Sequence, residues 1–519
     1  MWATRIYYND IDITAYVHSY MLDAVINQII VNHLAITDNT ARTILGLAKW
    51  RLPMQGWWHS VFDGLTMPNV LIGVPAPVRI ELTDYLGREV VYAWATAHIM
   101  RAAIKADLRS AIDWDYELVL SGAPTRGHNP WAGAMQAVLL WDGAHVLRTL
   151  DIQEASPVWA LVDSGVTGTI YDAQAVIVSD TVIGAWLLTA DGVWWCGDLY
   201  AATPSWALKL AIATVQAADA GVSGGTILLH ALAAGEPGYC IVASGPLNLA
   251  TTGAFVYNHS YTWHTHNYGA TWTQVDMAAY TVEVSSYVAG YCGIGRYGLA
   301  ILTGESPVIW AARTTPTLQD KSALFKSTDL GDTWSREYQI ADYSGDVGSG
   351  MGLRAPGALA ERSYLNRGNN LSGVFGWLYT SDDAWASGTQ QTKPAGYSGT
   401  AFKWRPAGHQ DDPNFVLTWW RHAGEGQDHL LKSTDGGLTW TDLYDGEATS
   451  GRWNSPVGWP GDLDTWLLVK TQVTTGINTV FYTADHFANV VSKQGNLPAV
   501  LGSWTTGDAH AIALPKVAA

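Results

Sequence analysis

The stretch Ser433-Thr434-Asp435-Gly436-Gly437-Leu438-Thr439-Trp440 occurs a second time as Ser327-Thr328-Asp329-Leu330-Gly331-Asp332-Thr333-Trp334. A third copy, Thr265-His266-Asn267-Tyr268-Gly269-Ala270-Thr271-Trp272, has threonine for serine and asparagine for aspartate. The hydroxyl and the Asp or Asn side chain are predicted to bond backbone N–H groups one or two residues further on, and the glycine permits a positive φ. The Thr-Trp pair then begins a strand whose large ring packs into a core. The stretch therefore predicts a tight turn between two strands.

This pattern resembles the Asp-box, or BNR repeat, of the sialidase-like β-propellers, which has the form S-x-D-x-G-x-T-W. In that family the motif occupies the turn between the third and fourth strands of a blade, away from the active face. The resemblance implies a β-propeller. It also implies a structural role for fifteen residues, namely Ser327, Asp329, Gly331, Thr333, Trp334, Ser433, Asp435, Gly437, Thr439, Trp440, Thr265, Asn267, Gly269, Thr271 and Trp272.

Degenerate copies of the motif surround the three good ones, at Trp141-Asp142-Gly143, Thr189-Ala190-Asp191-Gly192, Thr380-Ser381-Asp382-Asp383 and Thr483-Ala484-Asp485-His486. The seven central positions are then separated by 49, 76, 62, 53, 53 and 50 residues. Such intervals match one four-stranded blade with its loops. We therefore predict an all-β fold in which residues 132–519 form one seven-bladed propeller with all seven turns on one face.

The longest interval predicts an insertion, and its Ala-rich residues 206–220 are predicted as a short helix. Residues 509–514 are predicted as the closing strand of the ring.

Residues 1–125 lack Asp-box character and are predicted to form a smaller β-rich domain, either a barrel or a sandwich. Short alternating runs predict strands at residues 5–8, 13–17, 24–31, 78–82, 89–94 and 116–120. Residues 40–50 and 97–110 are predicted as either strands or short helices, because their periodicity does not decide between the two. Residues 126–131, rich in Gly and Pro, are predicted as the linker.

The order of elements in this first domain resembles the β-rich domains that open phage tail, baseplate and hub proteins. The residues that carry the resemblance are Asp12-Ile13-Thr14 and the hairpin Asp84-Tyr85-Leu86-Gly87-Arg88-Glu89-Val90-Val91. The resemblance implies that residues 1–125 dock to other tail or baseplate proteins. The alternative is an unrelated β-domain that caps or dimerises the propeller.

Charge and composition exclude several classes of function. Only 14% of residues are charged, whereas 27 are Trp and 24 are Tyr, which is typical of all-β proteins. The net charge is −17, and residues 1–130 hold 10 Lys and Arg against 12 Asp and Glu, so the rest of the chain carries 19 against 34. So acidic a propeller is a poor partner for nucleic acid or an anionic membrane. No membrane insertion and no secretory signal are predicted.

The sequence offers no catalytic constellation in register with the repeats. Sialidases of this fold carry an arginine triad, a Tyr/Glu pair and an acid Asp opposite the Asp-boxes, with an R-I-P-like element that is missing here. The arginines of the propeller share no register from one repeat to the next, as seen for Arg148, Arg296, Arg313, Arg354, Arg405, Arg421 and Arg452. We predict no sialidase activity, no catalytic residues, no metal site and no cofactor.

Four further features have both a structural and a functional interpretation. Asp411-Asp412, and Asp462 with Asp464, are candidate carboxylate pairs for other glycoside hydrolases but are predicted to be solvated turns. His264 and His266, with His259 nearby, are predicted to be exposed strand-end residues rather than metal ligands.

The tryptophan doublets Trp57-Trp58, Trp194-Trp195 and Trp419-Trp420 are candidate sugar-stacking platforms, but one ring of each pair is predicted to be buried between sheets. Cys196, Cys240 and Cys292 have no metal-like spacing and are predicted to be buried free thiols.

Two functions from different classes remain. The first is a structural or adhesion protein of a phage-like particle, made in the host cytoplasm and present in the virion, with the propeller displayed outward to bind a host surface glycan or protein. A homo-oligomer built through residues 1–125 is expected, a trimer before a hexamer. The alternative function is a carbohydrate-active enzyme or a lectin with a sialidase-like propeller. The alternative location is the cytoplasm. A photosystem-type assembly factor is a third alternative.

Overall fold

A computed structural model gives the fold of the chain, which divides into two compact units, Met1–Gly133 and Ala134–Ala519. In the first unit the structure describes eleven strands and no residues outside them. In the second unit it describes residues 135–179, 181–219, 226–235, 237–248, 256–257, 261–277, 293–302, 308–314, 322–340, 348–354, 363–369, 377–381, 387–391, 394–398, 407–409, 412–422, 428–444, 451–459, 462–472, 477–485, 487–501 and 509–515.

The first unit contains a nine-stranded antiparallel sheet in which β2, β1, β8, β9, β10, β7 and β3 follow one another, β11 pairs with β9 and β4 pairs with β7. Two further strands, β5 and β6, pair with each other. The strands are β1 (Trp2–Tyr8), β2 (Ile11–Asp12), β3 (Val17–Tyr20), β4 (Asp23–Val25), β5 (Gln28–Val31), β6 (Arg42–Leu45), β7 (Lys49–Trp57), β8 (Ala76–Thr83), β9 (Glu89–Lys105), β10 (Asp113–Leu120) and β11 (Thr125–Gly127).

The helix alternative for this unit is wrong wherever the structure describes it. Residues 42–45 and 49–50 belong to β6 and β7, and residues 97–105 belong to the long strand β9. Strand pairing explains the outcome, because β8 pairs with residues 89–97 of β9 and β10 pairs with residues 97–105, so the whole strand is held in a sheet. Tertiary pairing of this kind overrides weak local periodicity.

Residues 134–519 are an all-β β-propeller, as the repeated turn predicts. Their described strands form seven antiparallel sheets of four or five strands, which we number in chain order. The first sheet contains β12 (Ala137–Trp141), β13 (Val146–Thr149), β14 (Ala160–Leu161) and β41 (His510–Leu514); the second contains β15 (Ile170–Ser179), β16 (Val182–Thr189), β17 (Gly192–Cys196) and β18 (Trp206–Ala211).

The third sheet contains β19 (Thr226–Ala233), β20 (Cys240–Asn248), β21 (Val256–Tyr257), β22 (Tyr261–Thr265) and β23 (Thr273–Asp276); the fourth contains β24 (Gly293–Leu302), β25 (Val308–Thr314), β26 (Ser322–Ser327) and β27 (Ser335–Ile340). The fifth contains β28 (Gly348–Arg354), β29 (Ser363–Asn369), β30 (Trp377–Ser381) and β31 (Thr389–Gln390).

The sixth sheet contains β32 (Tyr397–Ser398), β33 (Ala407–His409), β34 (Asp412–His422), β35 (Asp428–Ser433) and β36 (Thr441–Tyr444); the seventh contains β37 (Gly451–Trp459), β38 (Asp462–Gln472), β39 (Asn478–Ala484) and β40 (Val491–Ser492). Two short helices are described, α1 (Ile212–Ala218) and α2 (Leu497–Leu501). No described helix is long and apolar enough to cross a membrane.

The C-terminal strand closes the first sheet. Strand β41 pairs antiparallel with β12, with Ala513 opposite Val138 and Leu514 opposite Ala137. Residues 509–514 therefore supply the strand that the sequence predicts for closure. Strand β41 also lies beside β37 of the seventh sheet and β15 of the second. One strand thus joins the beginning and the end of the unit.

The hydrophobic core is divided among the spaces between neighbouring sheets. In β16, Leu187 packs with residues of the first sheet such as Leu139, whereas its neighbour Trp186 packs with residues of the third sheet such as Val242. Successive side chains of a strand face opposite ways, so a strand buried on both faces needs a continuous apolar run. Residues 185–188 are such a run, and all four are fully buried.

The helix predicted within residues 206–220 is shorter than expected. Residues 206–211 form the outer strand β18 of the second sheet, and only Ile212–Ala218 is helical. Trp206 and Leu210 are buried, which holds the first part of the segment as a strand against the sheet. The Ala-rich remainder lacks a partner strand and forms α1.

We expect removal of β41 to destabilise the propeller. A chain that ends at residue 508 loses the strand partner of β12, together with the fully buried Leu514, whose burial alone is worth about 1.5–3 kcal/mol. The matched control ends at residue 515 and keeps β41. Thermal unfolding followed by circular dichroism should show a lower midpoint for the shorter chain only, and equal midpoints would contradict the closing role.

Candidate functional site

The turns at Asp329 and Asp435 share one hydrogen-bond pattern. The Ser433 hydroxyl donates to Asp435 Oδ1 at 2.8 Å and accepts from the Gly437 N–H at 2.7 Å. Asp435 then accepts from the Thr439 N–H at 2.9 Å and from the Thr439 hydroxyl at 2.5 Å. Ser327, Asp329, Gly331 and Thr333 repeat these contacts. The carboxylate therefore spans the turn and reaches a backbone N–H four residues further on, farther than the one or two that the sequence predicts.

The third sheet has the same turn with different chemistry. Asn267 accepts from the Thr265 hydroxyl and the Thr271 N–H, and its amide nitrogen donates to the Thr271 hydroxyl at 2.8 Å. Tyr268 and Gly269 both have a positive φ, as do Leu330 with Gly331 and Gly436 with Gly437. The turn thus demands left-handed backbone at two successive residues, and the second of these is glycine in all three copies.

The seventh sheet contains a variant of this turn that the sequence identifies only in part. Asp485 accepts from the Thr483 hydroxyl and from the N–H of Asn489, whose side-chain amide takes the place of the threonine hydroxyl. Phe487 stands where the other turns have glycine, and its φ is 70°. The hydrogen bonds survive these replacements because asparagine also offers a donor to the carboxylate.

Two of the predicted turns lie at the wrong end of their sheets. Asp142 lies between β12 and β13 of the first sheet, and Asp191 lies between β16 and β17 of the second sheet. Counted from the inner strand, each turn connects the second and third strands of its sheet. The Asp-box turns described in the third, fourth, sixth and seventh sheets connect the third and fourth strands. Successive turns of an antiparallel sheet alternate between its ends, so the prediction of seven turns on one face is wrong for Asp142 and Asp191.

The equivalent turns of the first two sheets are longer. In the first, Asp151 Oδ1 accepts from the Thr149 hydroxyl at 2.5 Å and from the Val158 N–H at 3.0 Å, and Trp159 follows. In the second, Cys196 occupies the hydroxyl position, Asp198 accepts from the Tyr200 N–H, and Trp206 ends the turn. Burial raises the pKa of the Cys196 thiol, and the backbone N–H groups of Asp198 and Ser205 partly offset this.

The tryptophans that end the turns of the first, second and third sheets each donate a hydrogen bond to the preceding sheet. Trp206 Nε1 donates to the Val162 carbonyl at 2.6 Å, directly after the fourth strand of the first sheet. Trp272 Nε1 donates to the Lys209 carbonyl at 3.1 Å, and Trp159 Nε1 donates to the Lys493 carbonyl at 3.1 Å. Each acceptor lies in or just after the outer strand of the sheet before. These three turns therefore hold neighbouring sheets together, which is a structural role.

The electrostatics of the Asp435 turn give it a pH dependence. Burial raises the pKa of Asp435, but hydrogen bonds from Thr439 and Ser433 outweigh burial and lower the pKa to about 2. Because the folded pKa lies below the ordinary value of about 3.9, the stabilisation is complete above pH 4 and is lost as the pH falls from about 4 to 2.

We expect Asp435→Ala to destabilise the protein by about 1 kcal/mol or more, since it removes the acceptor for the Thr439 N–H. Asp435→Asn is the matched control, because Asn267 already forms this turn in the third sheet. In thermal melts at pH 7, Asp435→Ala should have a lower midpoint than Asp435→Asn. An alanine variant as stable as the wild type would contradict the role of the carboxylate.

The histidines of the third sheet differ from prediction. His266 is exposed as expected, but His264 is only 1% exposed, so the prediction of an exposed residue is wrong for His264. Its Nε2 lies 3.1 Å from Asp332 Oδ1 in the turn of the fourth sheet. The neighbouring sheet covers a strand end that would be open in an isolated sheet. The described residues contain no group of three metal-type ligands, and His259 lies outside them.

The other candidate site residues have structural surroundings where the structure describes them. Trp194 and Trp195 are each 8% exposed, and Trp194 Nε1 donates to the Thr189 hydroxyl, so neither ring is an open platform. Asp462 and Asp464 lie at the start of β38 rather than in the predicted turn, and Asp462 accepts from the Asp464 N–H and the Thr465 hydroxyl. Arg148 donates to the carbonyls of Leu199 and Ala201.

Several candidates lie outside the described side chains, namely Trp57, Trp58, Trp419, Trp420, Asp382, Asp411, Asp412, Cys292, Arg296, Arg313, Arg354, Arg405, Arg421 and Arg452. Cys196 and Cys240 are buried free thiols.

A polar cluster that sequence reasoning missed lies at the end of the third sheet remote from its Asp-box turn. Asp219, just after α1, is 1% exposed and accepts from the Ser244 hydroxyl at 2.7 Å and from the Gln274 side-chain amide. Trp263 Nε1 donates to the same Ser244 hydroxyl. Burial raises the pKa of Asp219 to about 6, although both hydrogen bonds oppose this and the nearby charge of Asp276 adds to it.

Two side chains extend this cluster toward the surface. Tyr261, the first residue of β22, is paired across the strands with the exposed Asp276, the last residue of β23. Burial raises the pKa of Tyr261, and the charges of Asp276 and Asp219 raise it further. The sheet end therefore combines a phenol, an exposed carboxylate and a buried acid. We define Asp219, Ser244, Tyr261, Gln274 and Asp276 as the acid cluster.

A second polar group lies in the sixth sheet. Asp442 Oδ2 is 2.6 Å from His429 Nδ1 and accepts from the Tyr397 hydroxyl at 2.6 Å. His429 is buried, and the Asp442 side chain is 35% exposed. Tyr397 also packs against the buried Leu431, so this group joins the first and last strands of the sheet and has a structural explanation.

Comparison with solved structures finds sialidases and other glycoside hydrolases. A Hadza microbial sialidase is 11% identical with a TM-score of 0.39, covering 74% of this chain and 76% of its own. The Trypanosoma rangeli sialidase is 10% identical with a TM-score of 0.42, covering 68% and 60%. The GH74 xyloglucanase from Xanthomonas campestris is 13% identical with a TM-score of 0.25, covering 80% and 70%. At these identities the likeness concerns the propeller fold alone. No protein-family model and no curated protein matches the sequence.

Proposed function

We propose that the propeller is a carbohydrate-recognising module whose binding surface includes Tyr261 and Asp276 of the acid cluster. The observation that carries the proposal is the cross-strand pairing of a tyrosine with an exposed carboxylate at one sheet end. This function agrees with a sialidase-like propeller fold and replaces the phage-particle protein as the first candidate.

The side chains suit a sugar chemically. Sugars present neighbouring hydroxyl groups together with apolar C–H faces. An exposed carboxylate such as that of Asp276 suits sugar hydroxyl groups as donors, and Tyr261, whose side chain packs partly against the core, adds a polar phenol end. Gln274 lies on the same face of β23 as Asp276, because side chains two residues apart in a strand share a face. Its amide already donates to Asp219, which fixes its orientation.

The position of the cluster also supports the proposal. Tyr261 begins β22, whereas the Asp-box turn of the same sheet begins at Thr265, where β22 ends. In sialidase-like propellers the Asp-boxes lie away from the active face. Tyr261 and Asp276 therefore belong to the end of the sheet that corresponds to the active face in that family.

Binding without hydrolysis fits the cluster better than catalysis. Glycoside hydrolases pair a protonated carboxyl group with an ionised one, and the raised pKa of Asp219 suits the protonated partner. However, Asp219 is 1% exposed, and its oxygens already accept from Ser244 and Gln274. An acid so enclosed has no route to a glycosidic oxygen. We assign Asp219 to the support of the surface residues.

We expect the full chain to bind a subset of sugars on a glycan array, with Asp276→Asn weakening the affinity about tenfold or more, as loss of a charged hydrogen-bond acceptor does. Tyr261→Ala should weaken it similarly. Asp464→Asn, which alters an exposed carboxylate near the start of β38 in the seventh sheet, is the control and should bind normally. Absence of binding to any glycan, or cleavage of the bound glycans, would contradict the proposal.

We further propose that the seven sheets are seven blades of one closed ring. Pairing of β41 with β12 supports closure. Inner strands of successive sheets also lie side by side, namely β15 with β19, β19 with β24, β24 with β28, β33 with β37 and β37 with β41.

A second candidate function is docking into a phage-like particle, with residues 1–125 as the assembly module. The observation that favours it is the division of the chain at Gly133, with a nine-stranded sheet complete within the first unit. Residues 126–131 fall inside that first unit, and the linker assignment remains a prediction. In this candidate the partners are other tail or baseplate proteins, the location is the virion, and the propeller faces outward.

We expect the full chain to form a trimer in light scattering, with a hexamer as the next expectation, and residues 134–519 alone to be monomeric. The reason is that an acidic propeller resists self-association, whereas the near-neutral first unit does not. A monomeric full chain, or oligomers of the propeller alone, would contradict the assembly role.

A further inference from the structure

One contact between the third and fourth sheets differs from those between the other sheets. His264 directly precedes the hydroxyl residue of its turn, a position held by Lys326, Lys432 and Tyr482 in the fourth, sixth and seventh sheets. Asp332 directly precedes Thr333 of the next turn, where the third, sixth and seventh turns carry Ala270, Leu438 and Ala488. Only this pair of described turns therefore places an imidazole against a carboxylate.

The two partners differ sharply in exposure. The His264 side chain is 1% exposed and that of Asp332 is 61% exposed, with 3.1 Å between Nε2 and Oδ1. A second contact accompanies this one, since the Tyr239 hydroxyl of the third sheet donates to the Leu330 carbonyl at 2.9 Å. The turn of residues 327–334 thus rests on the third sheet through a tyrosine and a histidine.

The other ring nitrogen of His264 has no acceptor for a second proton. Its Nδ1 is buried without a hydrogen-bond partner. A methyl group built on Gly331 would lie 3.2 Å from Nδ1, so this nitrogen faces the backbone of the turn. Neutral imidazole suits the site, because Nε2–H donates to Asp332 while Nδ1 bears no proton. A proton added at Nδ1 would be buried without an acceptor, which is costly.

We propose that His264 and Asp332 form a pH-sensitive clasp between the third and fourth sheets, closed while the imidazole is neutral and opened when Nδ1 takes up a proton. When the clasp opens, water reaches the imidazolium, and the turn of residues 327–334 loses its contact with the third sheet.

The charged groups around His264 shift its pKa in opposite directions, and burial has the largest effect. Burial lowers the pKa of His264, Asp332 raises it, the exposed His266 on the same strand lowers it, and Asp329 in the facing turn raises it. The His266 ring lies 5.2 Å from that of His264 and 5.1 Å from that of Tyr239. Asp332 is largely exposed, so solvent screens its attraction for an imidazolium, whereas the desolvation of the buried ring is not screened.

The direction of the effect follows from linkage. The pKa of His264 in the folded protein lies below its ordinary value of about 6.5, so the unfolded or opened state binds the proton more readily. The clasp is therefore fully stable above about pH 6.5 and loses stability as the pH falls below that value.

Hydrogen exchange of the full chain at a series of pH values from 7.5 to 5.0 tests the clasp directly. After correction for the intrinsic exchange rate, peptides that cover residues 261–277 and 322–340 should exchange several times faster at pH 5.0. Peptides from residues 182–196, buried strands of the second sheet, are the internal control and should not change.

Three variants decide whether His264 is responsible. His264→Gln cannot gain a proton, so its exchange in the peptide of residues 322–340 should be independent of pH, whereas His266→Gln should keep the wild-type acceleration there. The peptide of residues 261–277 also contains Gln274, the partner of Asp219, so the titration of Asp219 contributes to its exchange. Asp332→Asn removes a group that raises the pKa of His264, so the midpoint of the acceleration should move to lower pH. If His264→Gln does not fold, the other two variants still decide. Equal exchange at pH 7.5 and pH 5.0 in the wild type, or an unmoved midpoint in Asp332→Asn, would overturn the proposal.

Discussion

The described sheets share no strand with one another, so contacts between side chains and neighbouring backbone must hold them in place. The indole N–H of Trp159, Trp206 and Trp272 meets this constraint by donating to a carbonyl in or just after the outer strand of the preceding sheet. A turn can deliver its tryptophan there only if its own shape is fixed. Hydrogen bonds from a hydroxyl and from a backbone N–H to the Asp or Asn side chain fix that shape, as in the turn that ends at Trp272.

The sequence predicts these turns where the residues between Asp and Trp are few and glycine marks the left-handed position. It misassigns the first two sheets because Asp151 and Asp198 each stand eight residues before their tryptophans, and the nearby Asp142 and Asp191 are followed by glycine. The burial of His264 has no local signal either, since the covering residue Asp332 comes from another sheet. Local chemistry thus predicts a turn, whereas the surroundings of a strand end depend on the neighbouring sheet.

The acid cluster also depends on residues that are distant from one another in the sequence. Asp219 follows a helix, Ser244 ends a run of apolar residues, and Gln274 lies in an outer strand, so nothing in the spacing of these residues indicates that they meet. Their meeting keeps a carboxyl group away from solvent and raises its pKa, while Tyr261 and Asp276 stay accessible. The third sheet therefore has two ends with different chemistry: a side chain directed at backbone N–H groups at the Asp-box turn, and a buried carboxyl group beside a tyrosine and an exposed carboxylate at the other end.

The pairing of β41 with β12 also constrains biosynthesis. A ribosome that makes this chain releases β12 early, but the strand that completes the first sheet appears only after every other strand of the propeller. At ordinary translation rates the delay is on the order of tens of seconds. Throughout that time β12 has an open edge, and such edges recruit strands from other chains. We therefore expect chaperones to bind the growing chain and cover the open edge of β12 until β41 is made.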